Sequence, residues 1–344
     1  MSDKSTKMRH DPLVKAVARA LRRRCGYRHA DHPEVLVACS GGGDSQALLH
    51  ALDALSGCRG WHERVVVGHV NHHLSDQADE AEVFLREQAE RMGVGWVCRS
   101  VHPDRHGGNL EATARRQRHA ALRSMAREAG LGVIALAHHG DDQLETMLMR
   151  LMRGSSPSGL AGMAWSRASR RGDLRLIRPL LGVTHAEVVG FLERWGIVWF
   201  EDPLNSKPDL RRNRLRREVL PALRASWPRG HERALEAADQ LRAWSGWMRE
   251  RTRAHADLFV ASEGGAVLTA ERGALAGVQG VELEMVLRER LLEAGVPADR
   301  LASRTTRQVV ACVGTGVASP REWVLACGVR VALDHRSLVI RRCS

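Results

Sequence analysis

Short apolar runs alternate with amphipathic stretches through the first part of the chain, up to about residue 140. A short apolar run predicts a buried strand, and apolar positions that recur every three to four residues predict a helix. Strands that alternate with helices indicate an α/β fold with a parallel twisted sheet and helices on both faces. The predicted strands span residues 35–39, 65–71, 94–101 and 133–138, and the predicted helices span residues 11–24, 45–56, 76–92 and 111–129.

The pattern becomes less regular after this region. A stretch rich in Ser, Pro and Gly over residues 153–162 is typical of a linker. Residues 196–200 predict one further short strand.

The last third of the chain predicts a separate, smaller α+β domain. Residues 232–253 and 281–294 have helical patterns, and residues 321–341 alternate like the two strands of a hairpin. We therefore predict two domains, residues 1–217 and residues 218–344, the second beginning with a linker helix over about 218–255.

The charge of the chain favours a polyanionic partner. Lys and Arg number 52 against 40 Asp and Glu, which gives a net charge of +12 and makes nucleic acid the first candidate. The arginine content of a GC-rich genome is the alternative explanation. The densest basic stretch is 207–217, and a second group comprises Arg167, Arg170, Arg171, Arg175 and Arg178.

The composition also narrows the class of protein. No apolar run reaches membrane-spanning length, and the first residues lack a signal-peptide core, so we expect a cytoplasmic protein without a membrane partner. None of the seven cysteines forms a Cys-x-x-Cys pair, which disfavours zinc and redox chemistry and favours free thiols.

A glycine-rich turn carries the strongest chemical signal. Ser40-Gly41-Gly42-Gly43-Asp44-Ser45 follows the first predicted strand and opens a helix, whose N-terminal N–H groups can bind a phosphate. The turn lacks the Gly-Lys-Ser/Thr of a Walker A loop and the spaced glycines of a dinucleotide site. Asp44 suits a Mg²⁺ ion that bridges protein and phosphate. The alternative is a turn that only lets strand and helix pack.

A second constellation begins another helix at His138-His139-Gly140-Asp141-Asp142. Asp142 and Glu145 lie three residues apart near its N-terminus, so the two carboxylates can hold a cation, either an ammonium group or a metal ion. Helix capping and dipole compensation are the alternative. Residues at i, i+3, i+4 and i+7 spacing predict the core-facing side: Leu144, Met147, Leu148 and Leu151.

Three polar clusters fall at predicted strand ends: the glycine turn, residues 69–73 and residues 138–142. Carboxyl ends of parallel strands share one edge of the sheet, and ligands bind beyond that edge. We therefore expect one site there.

Together these motifs resemble the tRNA(Ile)-lysidine synthase family. The glycine turn alone resembles the pyrophosphate loop of the N-type ATP pyrophosphatases, the PP-loop superfamily. The further matching motifs, in order, are Glu111-Ala112-x-Ala114-Arg115-x-x-Arg118, His138-His139-x-x-Asp142-x-x-Glu145-Thr146, Arg153-Gly154-Ser155 with Gly159-Leu160, Arg178-Pro179-Leu180-Leu181, Trp199-x-Glu201-Asp202-Pro203-x-Asn205, and Arg212-Asn213-x-Leu215-Arg216 with Leu220-Pro221. They cover about residues 35–221.

The resemblance implies an adenine nucleotide alpha-hydrolase-like, Rossmann-like fold and an ATP-dependent ligase. Such enzymes use ATP to adenylate the wobble cytidine of the isoleucine tRNA with a CAU anticodon. Free lysine then replaces AMP at C2 of the base. Residues 1–217 would be the ATP-pyrophosphatase catalytic domain and residues 218–344 a tRNA-binding domain. The sequence leaves the oligomeric state open, with a homodimer as one option.

The resemblance also implies roles for individual residues. Residues 40–45 would hold pyrophosphate, with Asp44 as the Mg²⁺ ligand, and His69 and Asn71 would border the adenosine. The implied catalytic residues are Asp44, Arg115 and His138 near the phosphates, Asp142 and Glu145 for the lysine ammonium, and Arg212 for the tRNA.

Three positions depart from the family pattern. His119 stands in place of a tyrosine, Ser75 in place of an arginine, and Ser156-Pro157-Ser158 in place of a more glycine-rich loop. Two other functions stay open: a PP-loop tRNA thiolase, which typically needs cysteine pairs, and a non-catalytic nucleic-acid-binding protein on the same fold.

Overall fold

The computed structural model divides the chain into two compact units. Unit 1 comprises Met1–Thr146 and Met163–Leu235, and unit 2 comprises Met147–Gly162 and Glu236–Ser344. The residues that the structure describes are 3–27, 34–58, 61, 64–73, 77–102, 110–169, 171–200, 214–262, 267–297, 300–315 and 319–342.

A six-stranded sheet forms the centre of unit 1. Its order is β3-β2-β1-β4-β6-β5, and all neighbours are parallel except the edge strand β5, which runs antiparallel to β6. The predicted parallel sheet is therefore confirmed for five strands, and β5 adds an antiparallel edge. The strands are β1 Glu34–Cys39, β2 Arg64–Asn71, β3 Gly95–Ser100, β4 Val133–Ala135, β5 Ser166–Ala168 and β6 Arg175–Ile177.

Helices cover both faces of this sheet, as the sequence predicts. The helices that begin in this part of the chain are α1 Asp3–Met8, α2 Pro12–Arg23, α3 Gly43–Leu55, α4 Gln77–Met92, α5 Leu110–Glu128, α6 Gly140–Met152, α7 Pro157–Leu160 and α8 His185–Trp195. A π-helical turn, Leu215–Val219, then leads into α9 Leu220–Ser226 and α10 Gly230–Ala256.

The period of two in the strands explains why the sheet has two cores. Val37 of β1 packs with α2, α3 and α8 in one apolar cluster. The adjacent Leu36 packs in a second cluster with Leu122 and Met125 of α5. Successive side chains of a strand point to opposite faces, so a continuous apolar run such as β1 requires a helix on each side.

Strand β1 is the position where the direction of chain crossover reverses. It pairs with β2 on one side and with β4 on the other, so that Val37 faces Val67 and Ala135. Open α/β sheets bind ligands at such a switch point, beyond the carboxyl ends of the strands. The glycine turn follows β1 directly.

Unit 2 contains an antiparallel sheet with helices packed on it. Its order is β7-β8-β11-β10-β9, and its core includes Leu283, Leu287, Val331 and Ile340. The alternation over 321–341 forms three strands rather than the predicted two. The elements are β7 Val260–Ala261, β8 Val267–Glu271, β9 Arg321–Val324, β10 Val329–Leu333, β11 Ser337–Arg342, α11 Arg272–Ala276, α12 Gly280–Glu293 and α13 Ser303–Thr315.

The structure corrects two predictions about connecting segments. Residues 197–200 form no strand, because Gly196 ends α8 in a left-handed conformation and the Phe200 N–H donates to the Gly41 carbonyl at 3.0 Å. Residues 153–162 are more ordered than a linker, because they contain α7 and the Arg150 guanidinium donates to the Gly159 and Gly162 carbonyls.

The predicted core face of α6 is also wrong. Its buried residues are Gly140, Asp141, Gln143 and Glu145, whereas Leu151 is 53% exposed. Charged partners allow the polar face of the first two turns to be buried, which apolar periodicity does not detect. The functional division at 217/218 stays a prediction; unit 1 continues to Leu235.

No helix within the described ranges combines the length and the apolar composition that crossing a bilayer requires.

The start of the chain is fixed to α8 by one buried carboxylate. Asp11 caps α2 by accepting from the Leu13 N–H at 2.8 Å, and it also accepts from Arg194 and from the indole of Trp195. Burial alone would raise the pKa of Asp11, but these donors outweigh it and lower the pKa below its usual value of 3.8.

We predict that Asp11→Ala lowers the free energy of unfolding at pH 7 by about 2–4 kcal/mol, because it removes a helix cap and two charge-assisted hydrogen bonds. Urea denaturation of the full chain measures the loss. The difference from wild type should disappear as the pH falls through the lowered native pKa of Asp11. Glu193→Ala, an exposed position of α8, is the control and should change stability by less than about 0.5 kcal/mol. An equal effect of both substitutions would contradict this role.

Candidate active site

The glycine turn forms a tight connection between β1 and α3. Gly41 has a φ of +92°, and a Cβ at this position would lie 3.2 Å from Cβ of Phe200. The Ser45 hydroxyl donates to the Gly42 carbonyl at 2.8 Å and accepts from the Ser40 N–H at 3.3 Å. The N-cap residue of α3 is Gly42, which has no side chain to cap the helix. The backbone N–H groups of the first turn are therefore presented to a ligand, as in an anion site.

Three helix N-termini meet at this turn. Asp44 lies in the first turn of α3, His139 directly precedes α6, and His185 is the first residue of α8. Nε2 of His139 lies 3.5 Å from one carboxylate oxygen of Asp44, and Nδ1 of His185 lies 3.3 Å from the other. The positive ends of the helix dipoles and the imidazoles surround one carboxylate and would attract further negative charge.

The surroundings keep Asp44 ionised. Burial alone would raise its pKa, but the imidazoles of His139 and His185 outweigh burial and hold the pKa well below its ordinary range. For His139 burial favours the neutral ring, yet the carboxylates of Asp44, Asp142 and Asp141 outweigh it and raise its pKa. An ionised carboxylate is the form that binds a cation.

The Asp44 carboxylate suits a divalent ion that takes its remaining ligands from phosphate and water. The ligand atoms of Asp44, His139 and His185 all lie within 4.8 Å of one another. Mg²⁺ prefers oxygen ligands and often takes one or two protein carboxylates plus phosphate and water. Asp44, beside an open anion cradle, meets that requirement.

Asp142 and Glu145, the acid pair, lie together on α6, as their spacing predicts. Glu145 is buried, with 1% of its surface exposed. The Arg216 guanidinium spans the pair: Nη2 donates to Asp142 at 2.5 Å, and Nε donates to Glu145. The other oxygen of Asp142 accepts from the His139 N–H at 3.1 Å, so the capping alternative holds for one of its oxygens.

Asp141 ties the neighbouring elements to α6. It is buried, one oxygen accepts from the His185 N–H at 2.8 Å, and the other pairs with the Arg224 guanidinium at 2.5 Å. The carboxylate therefore fixes the start of α8 and the helix α9 relative to α6.

An electropositive group surrounds His138, the residue before His139. Burial lowers the pKa of His138 well below its usual value, and the guanidiniums of Arg178, Arg115 and Arg118 lower it further. Burial and the arginines Arg118 and Arg115 likewise lower the pKa of His119 to about 4. The imidazoles are neutral here, and the guanidiniums around them provide positive potential for a phosphate. The departure at His119 thus retains an uncharged side chain.

The two residues predicted to border the adenosine, His69 and Asn71, make contacts within the protein at the end of β2. His69 is buried, and its ring bonds the Cys39 carbonyl at 2.9 Å. The Asn71 amide donates to Asp79 at 2.7 Å and to Glu82 at 3.0 Å, which holds the connection between β2 and α4. Contact of His69 and Asn71 with an adenosine stays a prediction.

Several predicted residues lie outside the described part of the chain. These are Arg212, the Glu-Asp-Pro-x-Asn motif at 201–205, Ser75 and most of the basic stretch 207–217, of which residues 214–217 are described. At the third departure from the family pattern, Ser156 caps α7 by accepting from the Gly159 N–H.

Sequence reasoning missed three members of the site. In the sequence, His139 stands out only as the neighbour of His138, and Arg216 only as part of a basic motif. His185 matched no motif, although Thr184-x-x-Glu187 forms a capping box and marks a helix start there.

The close approach at Gly41 provides a matched test of the turn. We predict that Gly41→Ala destabilises the protein by about 2–3 kcal/mol, because a left-handed conformation and a steric contact act together. Gly93→Ala, at a φ of +68° with no neighbour within 4 Å, should cost only about 1 kcal/mol. Pyrophosphate should raise the melting temperature of wild type and of Gly93→Ala but not of Gly41→Ala. Equal pyrophosphate stabilisation of both variants would contradict the cradle.

Known proteins resemble this chain over about half of its length or more. The family model described as the PP-loop domain matches residues 13–223. A tRNA(Ile)-lysidine synthase from Bacillus cereus is 37% identical over 227 residues, 64% of this chain and 46% of that protein. Another from Xanthomonas campestris pv. campestris is 44% identical over 195 residues, 56% of this chain and 43% of that protein. The chain spans about half the length of these curated relatives.

A solved structure shares the fold. The U34-tRNA thiolase NcsA from Methanococcus maripaludis with its [4Fe-4S] cluster superposes with a TM-score of 0.54. It is 16% identical and covers 67% of this chain and 79% of its own. The match of the family model to more than half of the chain, including the glycine turn, α6 and their neighbours, shows that the chain belongs to the PP-loop domain family.

Proposed function

We propose that this protein attaches lysine to C2 of the wobble cytidine in the isoleucine tRNA with a CAU anticodon, using ATP and releasing AMP and pyrophosphate. The observation that carries the proposal is the junction of an anion cradle with a cation site. His139 joins the two, with Nε2 3.5 Å from Asp44 and 3.7 Å from Asp142. The relatives named tRNA(Ile)-lysidine synthase support the same reaction.

The first step is adenylation of the base. The C2 oxygen of the cytidine attacks the α-phosphorus of ATP, and the bond between the α- and β-phosphates breaks to release pyrophosphate. The amides of residues 41–45 would bind that pyrophosphate at the N-terminus of α3. Arg115 would stabilise charge on the α-phosphate, in the electropositive region that it shares with His138.

Asp44 would hold Mg²⁺ beside the cradle. The ion, when bound, neutralises phosphate charge and orients the leaving pyrophosphate. His139 and His185 orient the Asp44 carboxylate through one contact to each of its oxygens.

The second step exchanges AMP for lysine. The ε-amine attacks C2, the new C–N bond forms, and the C–O bond to AMP breaks. An ammonium group is not a nucleophile, so it must lose a proton first. The acid pair would bind the ammonium and accept that proton, since Asp142 lies 3.7 Å from Nε2 of His139, the residue that also contacts Asp44.

Recognition of the tRNA would involve unit 2. Trp244 and Trp247 on α10 are 75% and 63% exposed, and the Arg251 guanidinium lies 6.0 Å from the Trp247 ring. Exposed aromatic side chains beside arginines are suited to nucleic acid, by stacking and by phosphate contact. We also propose that Arg212 and its basic neighbours bind the tRNA near the reacting base.

A thiolase is the second candidate, and the cysteines disfavour it. The thiols of Cys25 and Cys39 are buried, and burial raises the pKa of Cys25 to about 11 and that of Cys39 further. High thiol pKa values oppose thiolate formation. Among the described residues, no cysteine belongs to a cluster with metal-ligating geometry.

The experiment is lysine incorporation by the purified full chain. We predict that labelled lysine enters isoleucine tRNA bearing the CAU anticodon only when ATP and Mg²⁺ are both present. Methionine tRNA, which has the same anticodon, is the control substrate and should stay unlabelled. Sulfur transfer from a donor without lysine incorporation would contradict the proposal in favour of the thiolase. Binding of tRNA without ATP consumption would favour the non-catalytic alternative.

A further inference from the structure

The acid pair already carries a cation. Arg216 lies in the π-helical turn Leu215–Val219 and reaches Asp142 and Glu145 with its guanidinium. The Glu145 side chain is only 2% exposed and that of Asp142 18%, whereas 51% of the Arg216 side chain faces solvent. The arginine thus extends from the surface to the buried end of the pair.

A buried carboxylate must have a counter-charge. A charged carboxylate in the position of Glu145 would cost several kcal/mol without a cation beside it, and Arg216 is the cation described there. The pair also raises the pKa of Arg216 despite its burial, so this cation is permanently charged. The lysine ammonium carries the same single charge, and its binding would leave the charge balance of the pair unchanged.

We propose that Arg216 is the resident cation of the ammonium site and that substrate lysine binds by exchanging with it. This inference rests on the proposed function. It makes Arg216 a specificity-determining residue that competes with lysine for Asp142 and Glu145. A ligand without a cationic end group should replace it poorly, because the pair would then lose the guanidinium charge of Arg216.

The geometry allows the exchange. The hydrogen bonds described for the Arg216 side chain both go to the acid pair. Half of the side chain is already in solvent, so release needs only rotation of a long side chain and its hydration. A π-helical turn inside helical structure is often found at functional sites, where it re-aims a side chain.

Removal of the competitor should tighten lysine binding. We predict that Arg216→Ala lowers the dissociation constant for lysine by about tenfold or more, measured by calorimetry on the full chain, since lysine then supplies the positive charge that Arg216 no longer supplies. In steady state with ATP and tRNA, KM for lysine should fall and kcat should not rise. Arg216→Lys places an internal ammonium in the same position and should return KM toward the wild-type value.

Arg224→Ala is the matched control. It removes a neighbouring guanidinium from another buried carboxylate of α6, Asp141, but leaves the acid pair intact. It should lower stability yet change the lysine dissociation constant by no more than about twofold. An equal effect of the two variants would contradict a role specific to Arg216.

Guanidinium binding tests the inference without depending on lysine incorporation into tRNA. Guanidinium chloride at low millimolar concentration should raise the melting temperature of Arg216→Ala and compete with lysine for it, and should do neither in wild type. Norleucine, which keeps the α-ammonium but lacks the side-chain ammonium of lysine, should have neither effect on either protein.

The outcomes separate the two proposals. If wild type incorporates lysine but folded Arg216→Ala binds lysine equally or more weakly, Arg216 belongs to the lysine site or is purely structural, and the exchange is wrong. If guanidinium stabilises Arg216→Ala but wild type incorporates no lysine with ATP, Mg²⁺ and tRNA present, the cation site stands and the proposed function fails.

Discussion

The carboxylate of Asp44 is the point on which the site depends. The N-termini of α3, α6 and α8 all meet there, and three positive helix ends would repel one another without a negative charge between them. His139 and His185 contact the two oxygens of Asp44, and Asp141 joins the start of α8 to α6. The topology of the sheet delivers these ends to one edge, because α3 and α6 follow β1 and β4, which are neighbours.

Groups of opposite charge lie near this carboxylate. The glycine turn and the arginines near His138 provide positive potential, and α6 provides Asp142 and Glu145. The proposed ligation would use both kinds of group, since one product would leave as a polyanion and one substrate would arrive as a cation. Arg216 completes the arrangement by neutralising the acid pair when no other cation is present.

The parts of this site that are local in sequence could be predicted, and the parts that depend on distant contacts could not. The glycine turn, the strand before it and the spacing of Asp142 and Glu145 are each contained within a few residues, so the pattern of β1 and α6 was sufficient. His185 meets Asp44 from α8, far along the chain, and only its capping box marked a helix start.

The burial of polar side chains explains why the core face of α6 was predicted wrongly. The face of α6 was predicted from Leu144, Met147, Leu148 and Leu151, but the helix instead buries acids that have charged partners. Apolar periodicity predicts the core reliably only where apolar contacts decide which side is buried.

The central claim is that the glycine-turn side handles phosphate and the acid pair handles the amine. The most direct test follows the α-phosphate of labelled ATP in a single turnover with tRNA, first without lysine and then with lysine added. Wild type should transfer labelled AMP to the tRNA and release it on lysine addition. Glu145→Gln should form the labelled tRNA but keep the label, and Asp44→Asn should form none. Release of the label by Glu145→Gln at the wild-type rate, or normal labelling by Asp44→Asn, would contradict the account.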